Sequence, residues 1–202
     1  MEITSGQELR QMYGQPSERA RRKQLSALDA HCRNLIALSP FVVIGSSAPD
    51  GGADVSPKGD APGFVAVLDD RTLLIPDRPG NNRVDTMTNI LNNAQVGLLF
   101  LVPGMNETLR VNGRARLTRD ESLLAPLAVG GKVPRTGLLV EIDEVFLHCG
   151  KALIRAKLWD PATQIDRSQF PSLGRMLADQ IGGMDVAEAE RRTEDAYRNR
   201  LY

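Results

Sequence analysis

The fold is decided by residues 96–117, VGLLFLVPGMNETLRVNGRARL. Val96 to Val102 is an apolar run holding one glycine, and Thr108 to Leu117 alternates apolar with polar residues. That alternation is the period-two pattern of a strand with one buried face. Pro103-Gly104 between the two runs is a turn signal, so they read as a strand pair. Leu109 and Val111 take one face of the second strand, and Thr108, Arg110 and Asn112 the other, with Arg114 and Arg116 continuing the polar side. Gly113 inside this strand predicts a bulge or a close backbone approach.

Working outward, Asn82 to Asn92 reads as a short helix with Met87, Ile90 and Leu91 on its buried side. Phe64 to Leu68 and Thr72 to Ile75 flank Asp69-Asp70-Arg71 as a hairpin, and Phe41 to Gly45 and Ala53 to Ser56 flank the turn Pro49-Asp50-Gly51-Gly52. Beyond residue 117 come a helix at Asp120 to Val129, a strand at Gly137 to His148, and helical segments. About six strands with one short helix between them suit a small closed barrel. They follow one another too closely for the crossovers of a parallel sheet. The N-terminal third is helical. Thr4 with Gln7 and Ser5 with Glu8 read as capping boxes. A long helix from Ser17 carries Leu25, Leu28, Cys32, Leu35 and Ile36 on one face and stops at Ser39-Pro40. The expectation is one mainly β domain with flanking helices: residues 1–39 helical, 40–161 the barrel core, 162–202 helical.

An apolar share of 42% is enough for a proper core. Lys+Arg and Asp+Glu are equal at 25 each, which argues against a nucleic-acid partner gripped by a general basic field. Cys32 and Cys149 cannot make a disulfide framework. Met1 to Gln24 lacks the apolar core of a leader, and Val96 to Val102 is too short to span a bilayer. A cytoplasmic protein with no membrane partner is the expectation, and no cluster of soft ligands points to a metal.

Three segments carry candidate chemistry. Asp54-Val55-Ser56-Pro57-Lys58-Gly59-Asp60 ends a strand, and on composition alone it reads first as a polar turn between strands. Pro76-Asp77-Arg78-Pro79-Gly80-Asn81-Asn82-Arg83 runs from a strand into a helix start. Unpaired N–H groups and partial positive charge there favour an anion, and Arg78 and Arg83 add donors suited to phosphate. The same residues also fit a capped helix with solvated arginines. Arg110 matters only if its face meets a ligand or a second subunit. His31 and Cys32 read as structural, Cys149 and Trp159 as packing residues.

The runs Val55 to Asp60, Pro76 to Thr86 and Glu107 to Ala115, with His148-Cys149-Gly150-Lys151-Ala152-Leu153 and Leu158-Trp159-Asp160-Pro161, resemble the pyridoxamine 5'-phosphate oxidase-related flavoproteins. The resemblance implies an FMN-binding split β-barrel that forms a homodimer with flavin at the subunit interface. It implies that Ser56, Pro57, Lys58, Gly59 and Asp60 line the flavin, with Asn81, Asn82, Arg83 and Thr86 around the phosphate or ribityl chain. Arg78 and Lys58 become candidates for phosphate or the ring's polar edge, and Arg110 and the His148 to Lys151 segment would face the cofactor, from the partner subunit. Either Lys58 or Lys151 would tune the ring, and the sequence does not choose. The implied activity is an FMN-dependent oxidase or reductase of a small organic substrate, with the catalytic residues unassigned. A non-catalytic flavin-binding, storage or redox-sensing protein is the alternative, and haem or a deazaflavin in the same barrel a third. The ending Glu194 to Tyr202 departs from the substrate-gripping segment of the true oxidases.

Overall fold

The computed structural model describes residues 2–202; Met1, the first residue of the helical N-terminal segment expected above, lies outside them. Three helices open the chain, α1 (Gly6–Tyr13), α2 (Glu18–Arg22) and α3 (Ala30–Leu38). Strands β1 (Phe41–Ser47), β2 (Ala53–Gly59), β3 (Ala66–Val67) and β4 (Thr72–Pro76) follow. Then come α4 (Asp85–Asn92), β5 (Gln95–Leu101), β6 (Thr108–Thr118), α5 (Glu121–Leu124) and β7 (Gly137–His148). Helices α6 (Lys151–Ala156), α7 (Leu173–Ile181) and α8 (Val186–Asn199) complete it.

The seven strands form one antiparallel sheet in the order β2-β1-β5-β6-β7-β4-β3. This corrects the closed barrel expected from the strand pattern: β2 and β3 remain edges, and side chains rather than a ladder bring the two ends of the sheet together. One face of the sheet holds the core. Val42, Ile44, Phe100, Leu109, Val111, Val140 and Ile142 are fully buried there, with Cys32, Leu35 and Ile36 of α3 packed on them. Burial pushes the Cys32 thiol up to about 11, as for a small core hydrophobe.

The bulge expected at Gly113 is present, as a register shift between Asn112 and Gly113 in the β6–β7 ladder. A Cβ on Gly113 would lie 2.1 Å from the Glu141 carbonyl oxygen, so only glycine fits this crossing. The long helix expected from Ser17 is instead two helices. Between them Leu25 exchanges backbone hydrogen bonds of 2.9 and 2.8 Å with Val145, and Asp29 caps α3 through the Cys32 N–H. The Leu25 N–H and C=O are thus satisfied by the sheet instead of by a helical turn. The turn box at the N-terminus resolves to Ser5, which caps the Glu8 N–H while the Glu8 carboxylate accepts from the Thr4 N–H. On α4 the buried stripe is Thr86, Asn89 and Ile90; Leu91, expected inside, is 74% exposed. Among the described residues no helix is long and apolar enough to cross a membrane.

Candidate functional site

Register divides the candidate residues between the two faces of the sheet. Lys58 pairs with Val42, which pairs with Phe100, and Ser56 pairs with Ile44, which pairs with Leu98. Cross-strand neighbours share a face, so Ser56 and Lys58 look toward the core side. Pro57 and Gly59 alternate to the outside and are exposed. The row Pro57, Val43, Leu99, Arg110, Phe146 runs across the outer face. There the Arg110 guanidinium sits 5.1 Å from the centre of the Phe146 ring, and Lys23 stacks on the same ring at 5.3 Å. His148 lies beside Phe146 on this side, with Lys151 exposed at the start of α6. Arg110, His148 and Lys151 therefore do not meet Ser56, Lys58 and Asp60 within one chain.

The remaining candidates gather along edge strand β2. Asp54, Ser56, Lys58 and Asp60 recur every second residue, a row of about 20 Å at the ordinary rise of a strand. The connection from β4 to α4, residues 77–84, runs beside this row in the opposite direction. At one end Lys58 Nζ is 3.6 Å from Asp77 Oδ1, and Arg78 Nε donates to Asp60 Oδ2 at 2.5 Å. These two pairs bridge the split that the backbone ladder leaves open.

Arg78 is 16% exposed and Asp60 2%. Besides Asp60, Arg78 donates from a terminal nitrogen to the Leu127 carbonyl at 2.9 Å. Two of its five N–H donors are thus given to the protein, and Arg78 acts as a clamp across the split. Burial works to raise the Asp60 pKa. The hydrogen bonds from Tyr202, the Ala61 N–H and Arg78, with the Arg78 charge, outweigh it and hold Asp60 below the ordinary carboxylate value.

At the other end α4 begins. Its first residue is preceded by Val84 in the left-handed region (φ 54°), and no side chain among the described residues caps the helix. The N–H groups of its first turn are therefore available to an external acceptor. Asn82 is also left-handed (φ 58°), and the Asn81 side chain accepts from the Arg83 N–H at 3.1 Å. Arg83 is well exposed and, among the described residues, its side chain is tied only to Asp85, at 2.7 Å. Behind the helix, the Asn89 amide donates to Ser46 Oγ at 3.0 Å and to Asp54 Oδ2 at 3.1 Å. That network pins α4 to the β1–β2 hairpin and so sets where the helix points. Sequence reasoning missed Asn89 and Ser46; the one signal was a poor helix former on the apolar stripe of a helix.

Trp159 donates to the Met105 carbonyl at 2.6 Å, a packing role. Two surface hollows, of about 200 Å³ beside Arg191 to Asn199 on α8 and about 240 Å³ beside Gly182 to Arg192 on the turn before α8 and its start, contain none of the candidate residues. Among the described residues no three His, Cys, Asp or Glu side chains gather as a metal site requires.

An open antiparallel sheet whose split is lined by a polar row and faced by an uncapped helix start has the architecture of a split barrel. The family described as pyridoxamine 5'-phosphate oxidase matches residues 28–149, more than half of the chain, and the protein belongs to that family. No curated protein matches it. Among solved structures it is similar to HupZ of Group A Streptococcus, with 16% identity over 59% of this chain and 93% of that one and a TM-score of 0.50. It is also similar to an FMN-binding protein of Syntrophomonas wolfei, with 11% identity over 57% of this chain and 82% of that one and a TM-score of 0.46. General Stress Protein 26 of Bacillus anthracis gives 15%, 58%, 93% and 0.43 for the same four quantities. At these identities the likeness is one of fold.

Proposed function

We propose that the protein binds FMN along β2 and uses it as an oxidoreductase, an oxidase or reductase of a small organic substrate. The observation that carries this reading is the uncapped start of α4 beside the exposed Arg83, at one end of the polar row from Asp54 to Asp60. The donor set suits an elongated anionic flavin. First-turn N–H groups and Arg83 would hold the phosphate, with Thr86, Asn81 and Asn82 around it. Lys58 would lie toward the ring. Its pair with Asp77 is long at 3.6 Å and a quarter exposed, which leaves ammonium donors for a ligand. FMN supplies the electron-transfer chemistry when bound; the chain contributes binding, orientation and a cation that stabilises negative charge on the reduced ring.

The test is the absorption spectrum of purified protein, before and after acid release of any chromophore. A two-band flavin spectrum with FMN released is the expected result. A colourless protein that fails to take up added FMN overturns the reading. Arg83→Ala should weaken FMN binding at least ~10-fold in a fluorescence titration if Arg83 grips the phosphate. Unchanged affinity removes Arg83 from the site.

A homodimer completes this proposal. The outer face of the sheet carries Val43, Leu99 and Phe146, each half-buried, with Val55 66% and Phe41 38% exposed, the kind of apolar surface a partner covers. Arg110 and His148 stand on that face, where only a second subunit could carry them to a flavin. Light scattering is expected to give twice the chain mass; a monomer that holds FMN tightly counts against the dimer.

A further inference from the structure

Tyr202 comes back to the barrel from α8 and ends on the split. Its hydroxyl donates to Asp60 Oδ1 at 2.6 Å, and its ring centre lies 5.8 Å from the Arg78 guanidinium. Its carbonyl accepts from Lys132 Nζ at 2.7 Å. The arm that delivers it is a tight helical hairpin. A Cβ on Gly174 of α7 would meet the Glu190 Cα of α8 at 2.6 Å, and Ala178 and Ala189 are buried between the helices. Gly182 and Gly183, with φ of 73° and 66°, turn the chain from one helix to the other. The hydrogen bond to Asp60, with the Asp60 charge, raises the Tyr202 pKa and keeps the phenol a donor. Tyr202 lies beyond the residues 28–149 that match the family, whereas its partners Asp60 and Arg78 lie within them.

The geometry has the character of a site filled by its own protein: a buried acceptor, a cation and a planar ring with one donor. We propose that Tyr202 is a specificity-determining gate at the end of the β2 cleft away from α4, and that the compound displacing it is a planar aromatic molecule with a phenol-like donor. Such a ring takes the Asp60 carboxylate and the face of Arg78 in place of the tyrosine. The position of the gate relative to a cofactor rests on the flavin reading; the contact itself does not.

The test uses the full chain, Tyr202→Ala, and p-cresol, the tyrosine side chain as a free molecule. Saturation-transfer NMR without flavin is expected to show p-cresol bound at least ~10-fold more tightly by the variant than by the wild type. Toluene, which lacks the donor for Asp60, should gain much less. Tyr202→Phe keeps the ring and should bind p-cresol more tightly than the wild type but less tightly than Tyr202→Ala. Equal binding by wild type and Tyr202→Ala, or none by the variant, overturns the gate whether or not FMN binds. After FMN loading, p-cresol should perturb the flavin spectrum of the variant alone. A gain in p-cresol binding with an unperturbed flavin overturns the placement of the gate beside the ring. The same gain in a protein that takes up no FMN leaves the gate standing and overturns the flavin reading.

Discussion

Arg78→Ala is expected to destabilise the protein by about 3–5 kcal/mol near neutral pH, the usual cost of stripping one partner from a buried ion pair. The Asp60 side chain is 2% exposed, and its remaining donors would be the Ala61 N–H and the Tyr202 hydroxyl. Arg78 also holds the Leu127 carbonyl, which would lose that donor. The pH dependence supplies a second signature. In the wild type the Asp60 pKa is lowered on folding, so its contribution is present above the unfolded value near ~3.9 and is lost as pH falls through the lower folded value. The variant lacks the Arg78 hydrogen bond and charge, so burial moves its Asp60 upward. The gap between wild type and variant should therefore narrow as the solution is taken below about pH 4. Urea midpoints at several pH values measure this. A gap of under ~1 kcal/mol at neutral pH would mean that the split is held without the clamp.

A second large effect is expected at the centre of the sheet. Gly113→Ala should cost about 3 kcal/mol or more, the upper range for overpacking, because the added methyl meets backbone rather than a yielding side chain. The Glu141 carbonyl oxygen would lie 2.1 Å from the new atom, with the Glu141 carbonyl carbon at 3.1 Å and Ile142 Cα at 3.3 Å. Relief requires β6 and β7 to separate at their bulge, which breaks ladder hydrogen bonds on both sides. Gly97→Ala on neighbouring β5 is the control. Its Cβ would meet only the Asn112 side-chain oxygen, at 3.4 Å, and should be tolerated far better. Similar thermal midpoints for the two variants would show that the bulge can open without loss.

Much of the architecture was legible from local pattern. Alternation in Thr108 to Thr118 and the apolar run of Val96 to Val102 identify the central strand pair, and Gly113 marks the bulge within it, because strand periodicity and glycine's missing Cβ are properties of the residues themselves. The Pro76 to Arg83 segment likewise announces a helix start with cationic neighbours. Elements that depend on distant partners were misread. Leu25 has a helical spacing to Leu28 and Cys32 yet bridges Val145, 120 residues away. Leu91 sits on an apolar stripe but faces water, because Asn89 claims the inward position through Ser46 and Asp54.

For the candidate site, the sequence by itself determined the chemistry: which cations, amides and carboxylates are present, and in what order. Only the tertiary structure decided which of them meet. A strand's alternation separates Ser56 and Lys58 from Pro57 and Gly59, and sends Arg110 to the opposite face of the sheet. The curl of an unclosed sheet brings β2 against the end of β4, and so makes Arg78 a clamp on Asp60. Tyr202 reaches the same carboxylate across 142 positions of chain. No local pattern encodes such a meeting, because it is set by the packing of two helices and the curvature of a sheet, and both are sums over residues far apart in the sequence.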